Sequence, residues 1–512
     1  PGILTVAGDY VQAPEGTLLL EFASPSKHDR LAVLGSAQLD GVLALRWKHR
    51  PKQGEIYTIL TAADGVAGEF GAIESSIGAN SLLQLQIDYR SDSVVLSFTE
   101  ESFLDFAKEK KLSANARAVA RALDAANAKG RLGELMDVLY LTDLSQLPNT
   151  LAVLSPEALT QIFQIGFSNA QVQYGNLERR MSDLRDGAAG FSTNGLALTN
   201  ARGSLNYDGA PVVNTRDGLS LAGWDGKSMV GKQAVAPVVE QSRWGFFATG
   251  SGEWADVETT AQARGSEFST GGITVGADYR VNRNLVVGLA AGYANTGSDL
   301  FNGGKVEVNS GRGSAYATLY GDGYYLNAAV GGAYNSYRTK RATLGGHAHG
   351  KTNGGEFNAL LGGGYDYRAG GFTVGPVASL QYTYLGLDGF TERGSLVPMS
   401  FPSQNQNSLK GALGARVVYT WRTSGVSIRP ELRLQWQHEF LDSTAALESG
   451  FAGGGTVFTV RGPELGRDAL LLDAGVTVQF DAPYSIYAAY TAELGRKNYS
   501  TNVVSGGVRI QF

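Results

Sequence analysis

From Arg243 onward the chain alternates apolar and polar residues in twelve segments, near 243–252, 271–280, 284–294, 310–321, 323–335, 354–367, 371–387, 407–421, 425–437, 468–480, 483–494 and 502–512. A period of two predicts strands with one apolar face. In the ninth segment Val426, Ile428, Leu432, Leu434 and Trp436 share one face, while Ser427, Arg429, Glu431, Arg433, Gln435 and Gln437 share the other. The eighth sets Leu413, Ala415, Val417, Tyr419 and Trp421 against Lys410, Gly414, Arg416 and Thr420, and the tenth sets Leu470, Leu472, Val476, Val478 and Phe480 against Asp473, Thr477, Gln479 and Asp481. Five connections, within "RVNR", "GDG", "RAGG", "RTSG" and "DAP", have only about 1 to 3 residues, and the others run from about 7 to 30. An even strand count with short turns at one end and long loops at the other predicts an antiparallel transmembrane β-barrel. Trp244, Tyr279, Tyr293, Tyr367, Trp421 and Tyr484 lie near strand ends, as interfacial girdles require. Gly276, Gly288, Gly362, Gly364, Gly414 and Gly475 fall on the polar face, leaving room for a helix about 10 Å across.

The preceding sequence follows other periods. Residues 1–99 carry short apolar runs between Gly, Asp, Asn and Ser, such as "GTLLLEF", "DRLAVLG" and "DSVVLSFT". These predict strands of a β-solenoid end or of a small sandwich. From 100 to 186 the period becomes about 3.6. Ser113 can cap a helix whose Ala116, Val119, Ala120 and Leu123 share a face, and Ser155, Pro156 and Glu157 together form a helix start. A helix from Ser155 to Asp186 spans roughly 48 Å at about 1.5 Å per residue. It carries Gln161, Gln164, Asn169, Gln171, Gln173, Glu178, Arg179 and Arg180, too polar a set to face lipid. Its candidate pore-lining residues are Ser155, Pro156, Glu157, Gln164, Gln171, Arg179 and Arg180. Residues 187–242, rich in Gly, Asn, Ser and Asp, form a linker.

Composition sharpens this picture. The 512 residues include 68 glycines, of which 23 precede position 243 and 45 follow, so the excess belongs to the barrel. The absence of cysteine excludes thiolate metal sites, iron–sulfur clusters and disulfide scaffolds. A net charge of -5 gives no footprint for nucleic acid. No apolar run is long enough for a transmembrane helix, which leaves strands as the membrane-crossing elements. The chain opens at Pro1 without an initiator Met, and is expected to be a piece of a longer protein.

Candidate chemistry is sparse. Asp278, Lys410, Arg416, Arg429, Glu431, Arg433, Asp473 and Glu493 are the expected polar lining of the lumen. Arg429, Glu431 and Arg433 admit an ion pathway, but lumen packing against a helix and water is the preferred reading. His347 and His349 fall in an expected outer loop, 336–353, and without a nearby carboxylate they are read as solvated rather than metal-binding. No G-x-S-x-G turn occurs, so hydrolase chemistry is not expected, and no cofactor is called for.

The segments "GDYVQAPEGTLLLEF", "DRLAVLGSAQLDGVLALRW", "LSPEALTQIFQIGFSNAQVQYGNLERRMSDLR", "WGFFATGSGEW", "GITVGADYRVNRNLVVGLAAGYANTGSD" and "VSGGVRIQF", in that order, resemble the monomeric autotransporters of type Va secretion in Gram-negative bacteria. The resemblance implies a β-helical passenger end with its autochaperone or junction region at 1–99, a helical segment at 100–186, a linker at 187–242 and a twelve-stranded translocator at 243–512. It implies an outer-membrane monomer with residues 1 to about 150 at the cell surface. Its partners would be outer-membrane lipid, the barrel assembly machinery, periplasmic chaperones and its own passenger. Phe512, Ile510, Val508 and Val504 are similar to the signal that the assembly machinery reads. Linker 187–242 is longer than the family pattern, leaving Gly231–Gln241 as a rival pore segment, and the Asn-Asn pair associated with self-cleavage is missing. Alternatives are a surface adhesin or structural protein anchored by the barrel and, against the helix-sized plug, a diffusion porin.

Overall fold

The computed structural model describes residues 1–78, 80–186, 243–300, 303–480 and 484–511. Linker 187–242 with the rival pore segment, the "DAP" turn and Phe512 lie outside the described residues. Residues 1–75 wind into three β-solenoid coils. Ile3–Val6, Tyr10–Val11 and Thr17–Ser24 form the first coil, Arg30–Val33, Ala37–Leu39 and Val42–Trp47 the second, and Ile56–Ala62, Val66–Gly68 and Ala72–Ser75 the third. Each strand pairs in parallel with its counterpart in the next coil, with Ile3 beside Arg30, Thr17 beside Val42 and Leu31 beside Leu60. Parallel stacking rules out the sandwich. Leu31, Leu43, Leu45, Ile59 and Leu60 fill the interior, and Phe22 stacks on Trp47 at 4.0 Å. Burial beside the Glu55 carboxylate pushes the Tyr57 hydroxyl well above the usual phenol range. The antiparallel hairpin of Leu83–Tyr89 and Ser93–Glu100 pairs with Ile56–Ala62 and closes the last coil.

Four short helices follow, Phe103–Glu109, Ala114–Asn127, Gly133–Tyr140 and Leu147–Leu154. Ser113 caps the second, its hydroxyl accepting from the Ala116 N–H at 3.2 Å, and Ala116, Val119, Ala120 and Leu123 are buried. Ser155 departs from its expected role. It ends the helix Leu147–Leu154, and after Pro156 the chain makes a 3-10 turn, Glu157–Thr160, before the helix Gln161–Asp186. The Ser155 hydroxyl instead lies 3.3 Å from the Glu157 carboxylate. Gly166 and Gly175 do not break the long helix; at Gly166 the Leu385 side chain occupies the space a Cβ would need.

Twelve strands close into a barrel: Trp244–Val257, Ser266–Arg280, Leu285–Leu300, Gly304–Gly321, Tyr324–Thr343, Gly346–Tyr365, Phe372–Leu387, Gln404–Tyr419, Val426–Glu439, Asp468–Phe480, Tyr484–Leu494 and Tyr499–Gln511. Each pairs antiparallel with the next, and the first pairs with the last from Gly245 opposite Gln511 to Val257 opposite Tyr499. Polarity is inverted relative to a water-soluble fold. Leu289, Val330, Leu361, Leu413, Leu434 and Val504 are exposed, whereas Asp278, Arg416, Arg429 and Glu493 are buried inside. Apolar residues outside and charges inside fit hydrocarbon as the outer solvent. At the short-turn end the rings of Trp244 and Tyr279, Tyr324 and Tyr365, and Phe372 and Tyr419 pair at 5.0, 4.7 and 4.7 Å. Nearer the long-loop end the hydroxyls of Tyr293 and Tyr490 donate to Asn309 and Asn502 on adjacent strands, at 2.7 and 2.6 Å.

Several strands run well past the expected boundaries. The region 336–353, expected as an outer loop, is the upper half of a hairpin, Tyr324–Thr343 with Gly346–Tyr365, and His347 and His349 are strand residues. Above the membrane both faces meet water or protein, so the ladder continues while the apolar alternation that marked it stops. Among the described residues no His, Asp and Glu group is arranged to hold a metal. Two long connections also fold, into an outer sheet of Phe390–Thr391, Met399–Phe401, Ala446–Phe451 and Val457–Arg461. The glycines of the polar face serve a different purpose from the one expected at several positions. A Cβ at Gly276, Gly288 or Gly364 would collide with Phe247, Tyr316 or Tyr325 from a neighbouring strand, so these glycines seat rings, whereas Gly362 and Gly475 face the helix, at Glu178 and Arg179.

Outside the membrane the two halves share one apolar core. Val119, Leu123, Leu151 and Phe163 cluster with Leu300, Val306, Leu385, Met399, Leu447 and Val460. Asn115 latches them together: its Nδ2 lies 2.6 Å from Glu157 Oε2, 2.8 Å from the Arg461 carbonyl and 3.1 Å from the Gln262 carbonyl, while its Oδ1 accepts from the Arg461 N–H at 2.9 Å. The polarity inversion is open to a direct test. Leu289 is 68% exposed in the middle of the outward face. Leu289→Arg should cost about 2–4 kcal/mol in urea unfolding from lipid vesicles, with a much smaller loss if that face meets water.

Candidate functional site in the barrel lumen

The helix Gln161–Asp186 lies inside the barrel, packed on the second, fourth, fifth and seventh strands. At about 1.5 Å per residue its length is roughly 39 Å, enough to cross the hydrocarbon core. Its start lies at the long-loop end, where Gly166 meets Leu385 and Glu157 accepts from Asn115. Burial raises the Glu157 carboxyl above its usual range, against the hydrogen bonds from Asn115 and the Arg264 N–H. Asp186 lies at the short-turn end, paired with Arg416, and its carbonyl accepts from Arg429. A cation there also complements the negative end of the helix dipole.

The contacts change character along the helix. In the upper half they are hydroxyl, amide and lysine hydrogen bonds. Ser168 donates to Glu253, which also accepts from Thr501 at 3.1 Å; the Gln173 oxygen accepts from Thr274 at 2.7 Å, and the Gln171 oxygen accepts from Lys410 at 2.6 Å. In the lower half they are ion pairs of alternating polarity. Arg179 meets Asp473 at 2.5 Å, Arg180 meets Asp278 at 2.8 Å and Arg185 meets Asp366 at 3.6 Å. Glu178 meets Arg433 at 3.9 Å, Asp183 pairs with Arg509 and Asp186 with Arg416. Arg180 is bidentate, with Nε and Nη2 donating to the two Asp278 oxygens, and Tyr316 donates to the same carboxylate at 3.0 Å. The Arg185 guanidinium lies 3.6 Å over the Tyr325 ring. Beside the helix a cavity of about 100 Å³ remains, bordered by Gly175, Lys410, Gln437, Leu471, Asp473 and Thr491.

All eight residues expected to line the lumen face it. Asp278, Arg416, Arg429, Arg433 and Asp473 contact the helix directly, as do Lys410 and Glu493 through Gln171. Glu431 bridges Arg416 and Arg433 from the wall, at 3.5 and 3.2 Å, and Arg429 donates to the Asp186 carbonyl, so Arg429, Glu431 and Arg433 are held in contacts rather than lining an open ion path. Gln164 lies at the outer mouth near Arg264 and Gly462. Ile510, Val508 and Val504 face outward from the last strand. Sequence reasoning did not single out Arg509, Asp366, Glu253 or Tyr316. Parity could have supplied Arg509, since it alternates with Val508 and Ile510; Asp366 sits at a break between the strand segments Gly346–Tyr365 and Tyr367–Ala369, where the alternation is interrupted.

Residues 246–491 match the family model of the autotransporter β-domain. The barrel belongs to the autotransporter β-domain family. An extracellular serine protease of Serratia marcescens is 26% identical over 475 residues, covering 90% of this chain and 43% of its own length. Outer membrane protein B of Rickettsia conorii is 23% identical over 335 residues, 62% of this chain and 20% of that protein. The chain thus spans less than half the length of these relatives. Among solved structures, the translocator domain of autotransporter NalP from Neisseria meningitidis aligns with 53% of this chain and 90% of its own, at 18% identity and a TM-score of 0.44. As an autotransporter β-domain the barrel resides in the outer membrane, with its short turns toward the periplasm and its long loops, together with residues 1 to about 150, at the cell surface.

The pairing inside the autotransporter barrel makes a measurable demand. Arg180→Met leaves Asp278 buried without its counter-ion and should lower barrel stability by about 3–5 kcal/mol. Adding Asp278→Leu should recover much of that loss. The unfolding midpoint of heat-modifiable electrophoretic mobility reads both. An equal loss in single and double variants would show that the pair is not the source.

Proposed function

We propose that this chain carries its own N-terminal passenger across the outer membrane and then retains the helix Gln161–Asp186 as the plug and tether. One observation carries the reading: the polypeptide runs through its own barrel, with the solenoid coils on the long-loop side and Asp186 on the short-turn side. A path of that kind is what remains after a segment has been passed outward through the pore. Folding of apolar coils after exit supplies a downhill direction without ATP, since burial of Leu31, Leu43 and Leu60 is available only once they emerge. A cysteine-free chain forms no disulfide loops that would obstruct transit.

The rest of the assignment follows from the same reading. Residues 1–99 act as the junction end of the passenger, 100–186 as the docking and plug segment, 187–242 as the linker and 243–512 as the translocator. The C-terminal segment, with Val504, Val508, Ile510 and Phe512, is presented to the barrel assembly machinery after periplasmic chaperones have kept the chain unfolded. The chain itself acts as a monomer without cofactor or catalysis. The Serratia relative's protease activity is a property of a protein more than twice as long. An adhesive role of the surface part is compatible with translocation.

A reporter domain fused upstream of Ile3 should become protease-accessible on intact cells, and a reporter trapped inside would overturn the reading. In planar bilayers the full chain should conduct weakly, whereas deletion of residues 155–186 should open a large, stable conductance. Equal conductance of the two would contradict the plug.

A further inference from the structure

On the outward face of the third to sixth strands, residues stack in lateral rows that rise from the membrane. The first row is Tyr293, Gly311, Tyr334 and Gly355, at the aromatic girdle. The second is Asn295, Asn309, Ser336 and Asn353, neutral and polar. The third is Gly297, Glu307, Arg338 and Lys351, and the fourth is Asp299, Lys305, Lys340 and His349, with Arg393 opposite His349. Rows two residues apart are separated by about 6.6 Å along a strand, or about 5 Å vertically at the usual barrel tilt. The cationic rows therefore lie about 10 and 15 Å above the girdle, clear of the hydrocarbon and at the depth of headgroups.

Charge pairing differs between the two faces at this height. Inward, Arg341 meets Glu392 at 2.6 Å. Outward, Lys305 reaches Asp299 at 3.7 Å while remaining 59% exposed, and Arg338, Lys340, Lys351 and Arg393 make no ion pair among the described residues. Lys305 sits directly opposite Lys340 with Asp299 on its other side, and Arg338 sits directly opposite Lys351 with Glu307 on its other side, so the sixth-strand edge of the arc carries the uncompensated charge. Like charges directly across a ladder are destabilising unless a counter-ion lies between them. The first three strands show the reverse composition at this level, with Asp256, Glu267 and Asp299 side by side, so the cations form an arc on one side of the barrel.

We propose that this arc, centred on Lys305, Arg338, Lys340 and Lys351, binds the phosphate groups of the outer-leaflet glycolipid. The girdle below holds the acyl level, the neutral row spans the glycerol-like or sugar backbone level, and the cationic rows meet phosphates. Guanidinium and ammonium groups are the side chains suited to phosphate, Arg338 through its fork and the lysines as point charges. Such binding would orient the barrel about the membrane normal, with the arc clamped to lipid and the acidic side free. The inference rests on the outer-membrane placement and is independent of the translocation reading.

The test uses the full chain, delipidated in detergent and returned to phosphatidylcholine vesicles. Labelled lipopolysaccharide with intact lipid A phosphates is titrated against wild type, against the quadruple variant Lys305→Gln, Arg338→Gln, Lys340→Gln and Lys351→Gln, and against a control changing Arg283, Arg368 and Arg422 at the short-turn end to Gln. Wild type and control should bind alike, and the quadruple variant about tenfold more weakly or worse. Dephosphorylated lipopolysaccharide should bind all three weakly. Undiminished binding by the quadruple variant, or indifference to the phosphates, would overturn the proposal. So would a variant that loses only a soluble sulphated polysaccharide. Heat-modifiable mobility reports folding; should the quadruple variant fail that check, Arg338→Gln and Lys351→Gln singly are read by the same criteria.

Discussion

The ladder between the first and last strands, from Gly245 opposite Gln511 to Val257 opposite Tyr499, is the contact on which the rest depends. Hydrocarbon offers no hydrogen bonds, so a sheet can cross it only if no edge remains. Closing the sheet forces every second side chain to lipid and every other one inward. The exposed leucines and buried arginines of this chain are two consequences of that one closure.

Closure in turn creates the problem that the helix Gln161–Asp186 solves. A lumen lined by Asp278, Asp366, Asp473, Arg416, Arg433 and Arg509 is costly to leave without partners and too charged to collapse. The helix answers each of these with a group of opposite sign, in a segment that reads "LERRMSDLRD". Because three cations and three anions of the helix meet their opposites, neither surface carries a large uncompensated field. The pairs cluster in the half nearer the periplasmic turns, and the surface half is held by hydroxyl, amide and lysine hydrogen bonds and by the shared core above the membrane. The Gln161 end of the helix is thereby tied to the outer loops, through Asn115 and through Phe163 and its apolar neighbours.

Strand identity was legible wherever lipid enforced alternation, as in Val426 to Trp436, and became illegible where lipid stopped. The hairpin above Asn335 has Thr339, Arg341 and Thr343 inside and Arg338 and Lys340 outside, a polar strand on both faces that looks like loop. Lumen residues were legible from parity alone, since a charge on the polar face of a barrel strand has nowhere else to point. Their partners were not. Nothing in the spacing of Asp278 connects it to Arg180, nor Asp366 to Arg185 and Arg416. The glycines taught a similar lesson: small residues on the inner face were visible, but whether a ring or a helix fills the space depends on the stagger of adjacent strands. The Ser155 cap failed because Ser-Pro-Glu fits both the end of one helix and the start of the next.

The sequence by itself determined the twelve-strand count at the level of segments, the sense of the turns, the polarity of the two faces and the existence of a long polar helix, because each is a local consequence of period and composition. Tertiary structure alone decided that the solenoid stacks in parallel, that the long connections fold into an outer sheet joined to the short helices before Gln161, and which charge meets which inside the pore. Those are relations between residues up to hundreds of positions apart, set by closure and register, and no local pattern carries them.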